Sequence, residues 1–161
     1  MEMTNMAKEF TKGFTIYKPK RDGCGSASQW NLGSEKDCVF LEMASQNNDD
    51  QAGKFDWENK LIFKLGETDI GEILSVLAGG QVGVGPLDRD KGKHKGLFHS
   101  NPKGNAVMYL VKDKDLNCFK LCLSIKRDNK RTACMHNITR GEAYVLEVLL
   151  KQAVRVMAKW Y

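Results

Sequence analysis

Residues 131–150 read RTACMHNITRGEAYVLEVLL, a strand-like run that gives way at one threonine to a helical pattern. Thr139-Arg-Gly-Glu142 has the form of a capping box, in which the threonine hydroxyl and the glutamate carboxylate satisfy opposite orphan amides at a helix start. Beyond it Val145, Val148, Leu149, Ala153, Val156, Met157 and Trp160 recur at helical spacing, which predicts a helix of about five turns with one apolar face.

Working upstream, KGLFHS (95–100), NAVMYLVK (105–112), CFKLCLSIKR (118–127) and RTACMHNI (131–138) are rich in β-branched and aromatic residues, and NPKGN, DKDLN and DNK between them are turn chemistry. They predict a meander of hairpins. The first half of the chain repeats the order: FTIYKPK (14–20), SQWNL (28–32), CVFLEMA (38–44) and NKLIFKL (59–65) precede a helix starting near Thr68 in ETDIGEILSVLAG. ILSVL at 73–77 matches VLEVL at 145–149, an offset of 72 residues that places strand on strand and helix on helix. The expected fold class is α+β: two ββββα repeats, about 10–80 and 91–161, forming antiparallel sheets packed with helices in a single domain over 10–161.

LAGGQVGVGP (77–86) lies between the repeats, and its glycines follow a helix and lead into a strand. A phosphate cradle needs the opposite order, so that amides at a helix N-terminus face the phosphate, and the spacing fits neither GxGxxG nor GxxxxGK[ST]. Residues 79–90 therefore read as a helix stop followed by a mobile Gly-rich linker.

Charge separates the halves. Residues 1–80 hold 9 Lys and Arg against 13 Asp and Glu, and residues 81–161 hold 16 against 7. From Lys91 to Lys103 no acid interrupts the basic residues, so the second half is the one expected to meet a polyanion. At 161 residues, 42% hydrophobic and 28% charged, the chain suits one soluble globular domain. It lacks the run of about 20 apolar residues that a membrane span needs, and MEMTNMAKEF carries no secretion or import pattern. A cytoplasmic location is expected.

The five cysteines, Cys24, Cys38, Cys118, Cys122 and Cys134, are odd in number and form no CxxC pair, which suits free thiols. Pairing CFKLCLSIKR with RTACMHNI across a three-residue turn, Asp128 to Lys130, sets Arg127 opposite Arg131 and gathers Leu123, Ile125, Ala133 and Met135 on one face. Lys120, Cys122, Ser124, Lys126, Thr132, Cys134 and His136 then share the other. Cys122, Cys134 and His136 could converge as soft metal ligands, but acids to support them are lacking nearby. A basic sheet that tracks phosphates while rings stack on bases is the better reading, with Phe98, His99, Tyr109, Trp30 and Tyr17 as the available aromatics. No nucleophile elbow, HExxH or kinase motif is present. The chain is expected not to be an enzyme and to need no cofactor or metal.

A basic strand meander running into a capped helix, twice over, resembles the Whirly and positive-cofactor-four family of single-stranded DNA-binding proteins. GLFHSNPKGNAVMYLVKDK looks like the family's first hairpin, RTACMHNITRGEAYVLEVLL like its last strand and helix, and KLIFKLGETDIGEILSVL like the same junction in the first repeat. KGKHKGLFH (91–99) is similar to the lysine-glycine-lysine entry of the plant Whirly proteins. The resemblance implies binding of single-stranded DNA with little sequence specificity, in replication, recombination or transcription, by a homo-oligomer assembled through helices or sheet edges. The chain is shorter than the plant proteins and is also similar to compact bacteriophage relatives of the coactivator. Candidate nucleic-acid-binding residues are Lys18, Lys20, Arg21, Lys91, Lys93, Lys95, Phe98, His99, Lys103, Lys120, Lys126, Arg127, Lys130, Arg131 and His136. The alternatives are an RNA-binding or annealing chaperone, since stacking and phosphate contacts do not distinguish the sugar, and a metal- or nucleotide-dependent enzyme.

Overall fold

The structure, a computed structural model, describes residues 12–47 and 54–160; the expected domain limits at 10 and 161 and the MEMTNMAKEF segment lie outside them. Four antiparallel strands, β1 (Phe14–Lys18), β2 (Ser26–Leu32), β3 (Val39–Ser45) and β4 (Leu61–Leu65), form the first sheet in sequence order, and α1 (Glu67–Leu77) follows. A two-stranded ribbon of β5 (Leu87–Asp88) and β6 (Lys93–His94) leads to the second sheet, β7 (Leu97–Asn101), β8 (Gly104–Asp113), β9 (Cys118–Arg127) and β10 (Lys130–Ile138), again in sequence order, and then to α2 (Arg140–Met157). The two ββββα units of the sequence pattern are both present.

They share one interior. Ile16, Leu41, Met43, Phe63 and Leu65 of the first sheet and Met108, Leu110, Phe119, Leu121 and Leu123 of the second belong to one buried apolar cluster, which also takes Ile70, Ile73 and Val76 of α1 and Leu146 and Leu150 of α2. Period-two alternation places these residues inward and their neighbours outward. The helices pack on one another. Tyr144, Val145, Val148 and Leu149 of α2 remain exposed.

The helix starts show how the repeats align. Thr139, the N-cap of α2, stands 73 residues after Gly66, the N-cap of α1, and buried Ile70, Ile73 and Leu77 of α1 correspond to buried Ala143, Leu146 and Leu150 of α2. The structural offset is thus one residue more than the 72 set by ILSVL and VLEVL. In α2 both halves of the expected capping box form: the Glu142 amide donates to the Thr139 hydroxyl (3.2 Å) and the Thr139 amide to the Glu142 carboxylate (2.9 Å). In α1 glycine has no side chain to offer, and only the Gly66 amide to Asp69 carboxylate bond forms, at 3.0 Å.

The connection expected as a mobile linker is anchored. Val84 is buried and its amide donates to Leu110 O, the Lys112 amide donates to Val82 O, and the Gly85 amide and the Gln81 side chain both donate to the Glu72 carboxylate. Gly85 has φ +82°, and a Cβ there would lie 2.1 Å from the carbonyl oxygen of Gly96. Close backbone approach, not flexibility, requires that glycine.

Candidate nucleic-acid interface

The β9–β10 hairpin decides what the second sheet displays. Its turn has two residues, Asp128 and Asn129, with φ +48° and +61°, the left-handed pair of a type I′ turn that tightens a hairpin with the natural strand twist. Arg127 therefore pairs with Lys130, Leu123 with Cys134, and Cys122 with Met135. This corrects the three-residue turn: Thr132, Cys134 and His136 move to the side of Leu121, Leu123 and Ile125, while Ala133 and Met135 face outward with Lys120, Cys122, Ser124 and Lys126. Asp and Asn tolerate the left-handed region better than other side chains, which is why this two-residue loop closes without glycine.

Cross-strand registers then give the outer face in rows. Phe98, Val107, Ser124 and Ala133 form one row; Tyr109, Cys122 and Met135 the next; Asn105, Lys126 and Arg131 flank them on one side, and Val111, Lys120 and Asn137 on the other. Phe98 is 61% exposed, Met135 66% and Tyr109 37%. A band of rings and apolar side chains thus lies between cations, with row members on neighbouring strands about 4.8 Å apart. Gly96 lets Tyr109 lie against the backbone, since a Cβ there would come within 2.9 Å of its ring. Lys120 is held by Asp113 at 3.2 Å. The first sheet offers no such face: its outer rows are Thr15, Gln29, Glu42 and Ile62, then Tyr17, Ala27 and Ala44, then Asn31, Phe40 and Lys64, and Glu42 is paired with Lys60.

The candidate residues fall into several places. Phe98, Lys120, Lys126 and Arg131 share the outer face, and Met135, which sequence reasoning passed over, joins them. Lys91, Lys93 and Lys95 are exposed on and beside the β5–β6 ribbon, and Lys103 is exposed in the β7–β8 turn. Arg127 and Lys130 rim a cleft where β9 and β10 approach Leu61 of β4. Lys18 and Lys20 border another cleft with Lys120, while Arg21 is exposed just past β1. Trp30 is 5% exposed and belongs to the core.

The two candidate histidines, His99 and His136, lie in the seams where the repeats meet. Counting outward through the strand registers, His99 of β7 occupies the position of Lys18 of β1, and His136 of β10 that of Phe63 of β4. In one seam the His99 ring stacks on Phe63 (centroids 4.2 Å apart) and its Nε2 lies 3.2 Å from the Asp69 carboxylate. In the other, Lys18 binds Glu142 and His136 is buried, its Nε2 bonded to the Ser28 hydroxyl at 2.9 Å. Burial pushes the His136 pKa down to about 4, with Lys18 adding to the effect, so the ring is neutral at physiological pH. It carries no positive charge to the outer face.

The Cys122 and Cys134 thiols are pushed up by burial, and Cys134 lies 3.2 Å from the Ser45 hydroxyl. Among the described residues, no three His, Cys, Asp or Glu side chains converge as metal ligands. No helix of the described residues is long and apolar enough to cross a membrane.

This architecture is the Whirly-like α+β fold. The chain is similar to WHY1 from Arabidopsis thaliana, with 23% identity, a TM-score of 0.69, and 94% of this chain and 87% of that one covered. It is also similar to the plant transcriptional regulator PBF-2 (20% identity, TM-score 0.67, 94% and 93% covered) and to a guide-RNA-binding protein complex bound to a guide RNA (13% identity, TM-score 0.64, 91% and 92% covered). No family model and no curated protein matches the sequence.

Proposed function

We propose that this chain binds single-stranded nucleic acid, DNA in the first instance, with little sequence specificity and without performing chemistry. The observation that carries the reading is the outer face of the second sheet, where exposed Phe98, Tyr109 and Met135 lie between Lys126 and Arg131 on one side and Lys120 on the other. Rings stack on any base, and cations track the phosphates. Likeness of fold to a plant transcriptional regulator and to a guide-RNA-binding complex supports it. The guide-RNA complex also favours RNA as a second ligand, since neither stacking nor phosphate contact selects the sugar. In the cell we place the protein in replication, recombination or transcription, as a homo-oligomer whose copies meet through the exposed Tyr144, Val145, Val148 and Leu149 of α2. The test is a titration of oligo-dT, oligo-U and duplex DNA of equal length at several salt concentrations. Tighter binding of the single strands, with log affinity falling linearly in log salt, is expected. Equal or tighter duplex binding would sink the reading.

A further inference from the structure

The two seams occupy equivalent places and are filled differently. At one, Phe63 stacks on His99 and Met108 sits at the register position inward of them. At the other, the corresponding residues are His136, Lys18 and Ser28, and beside them lies a cleft of about 560 Å³. It is lined by Tyr17 and Met135, which are 58% and 66% exposed, by buried Leu121 and His136, and by exposed Asn137. We propose that this cleft receives one unstacked nucleobase of the bound strand, sandwiched by Tyr17 and Met135, with Lys20 taking an adjoining phosphate.

The proposal rests on the single-strand reading above. Three lysines border the cleft, but Glu142 holds Lys18 at 2.6 Å and Asp113 holds Lys120 at 3.2 Å, while Lys20 makes no ion pair among the described residues. One unneutralised cation beside an apolar cavity suits a base and its phosphate better than a polyphosphate, which would need several convergent cations. The polar groups fit the edge of a base. The Asn137 side-chain amide makes no hydrogen bond among the described residues, and His136 Nδ1 reaches only the Ser26 carbonyl oxygen, at 3.4 Å. The cleft is also continuous with the outer face: Met135 stands beside Cys122 in the Tyr109 row, and Lys120 beside Asn137 in the next, so a strand stacked on the sheet arrives at its mouth.

Photocrosslinking of the full chain to oligo-dT carrying 5-iododeoxyuridine tests this, with adducts located by mass spectrometry. Adducts on Tyr17 or Met135, beside those on Phe98 and Tyr109, are expected. Adducts confined to Phe98 and Tyr109 overturn the cleft and leave the single-strand reading standing; failure to bind the oligonucleotide at all overturns both. The double substitution Ser28→Met and His136→Phe gives this seam two of the three residues of the other and leaves Lys18, which Glu142 holds, in place. It is expected to abolish the Tyr17 and Met135 adducts and weaken oligo-dT binding about tenfold, the scale of one stacked base, with an unchanged salt slope. Should that variant not fold, exposed Tyr17→Ala is expected to show the same loss, and unaltered affinity in it counts against the proposal.

Discussion

Lys18 Nζ lies 2.6 Å from Oε1 of Glu142, the same oxygen that accepts the amide of Thr139 at the start of α2. His99 meets Asp69 at the start of α1 in the equivalent way. In each case a side chain from the first strand of one repeat is tied to the capping carboxylate of the other repeat's helix.

Glu142→Gln should therefore cost more than an exposed ion pair, because it weakens a helix cap and a contact between repeats together. The expected loss is about 1–2 kcal/mol, read from urea unfolding at pH 7. Burial pushes the Glu142 carboxyl up, but hydrogen bonds from Lys18 and Thr139 outweigh it and hold the group below its ordinary range. Its contribution is thus complete above the ordinary carboxylate pKa and disappears as pH falls through the depressed value. A glutamine variant with wild-type stability would show that the cap is held by Thr139 alone.

His136 gives a second pH dependence at higher pH. Its folded pKa, about 4, lies below the ordinary 6.5, so the unfolded chain takes up the proton first. Stability should be complete above about pH 6.5 and decline towards pH 4, by at most about 3 kcal/mol at 1.36 kcal/mol per unit. Comparing unfolding curves at pH 7 and pH 5 for wild type and His136→Phe checks this. The phenylalanine variant should lose less stability over the interval, and an identical decline would assign the effect to other groups.

The glycines of the connection separate by geometry. Gly85→Ala meets the Gly96 carbonyl at 2.1 Å, whereas Gly79, with φ +85°, has open space around its missing Cβ. Gly79→Ala is expected to cost about 1–2 kcal/mol for left-handed backbone alone. Gly85→Ala should cost clearly more, as a larger drop in melting temperature. Equal effects would mean the connection yields as a loose tether.

Phosphate and base contacts can be separated on the outer face. Lys126→Ala with Arg131→Ala should weaken binding of all single strands and lower the salt slope by about 0.7 per lost contact. Phe98→Ala or Tyr109→Ala should weaken binding about 5- to 100-fold at an unchanged slope. Salt-dependent titrations of the four substitutions distinguish the roles, and a tyrosine variant that changes only the slope would contradict the stacking assignment.

Strand order, helix starts and the charged half were legible because alternation, capping residues and composition are local signals. Register was not. Asp128-Asn129-Lys130 is compatible with two- and three-residue loops, and one residue of slip turns every side chain of β10 over. That slip put His136 and Cys134 on the wrong face and hid Met135 on the outer one. The same limit applied to the offset between repeats: ILSVL and VLEVL match best by letter at 72, but burial follows the helix caps, at 73. Seam contacts such as His99 on Phe63 join residues far apart in the chain, for which spacing along one strand carries no signal.

The correspondence of Phe63 with His136 bears on how such a molecule can evolve. In a homodimer of a single ββββα unit, any substitution at the seam appears twice, so a polar residue that opens a cavity weakens both junctions at once. Joining the units in one polypeptide separates them genetically. Here one seam holds a tightly stacked aromatic pair and the other holds histidine, serine and an open cleft, a difference that a symmetric dimer of identical chains cannot carry.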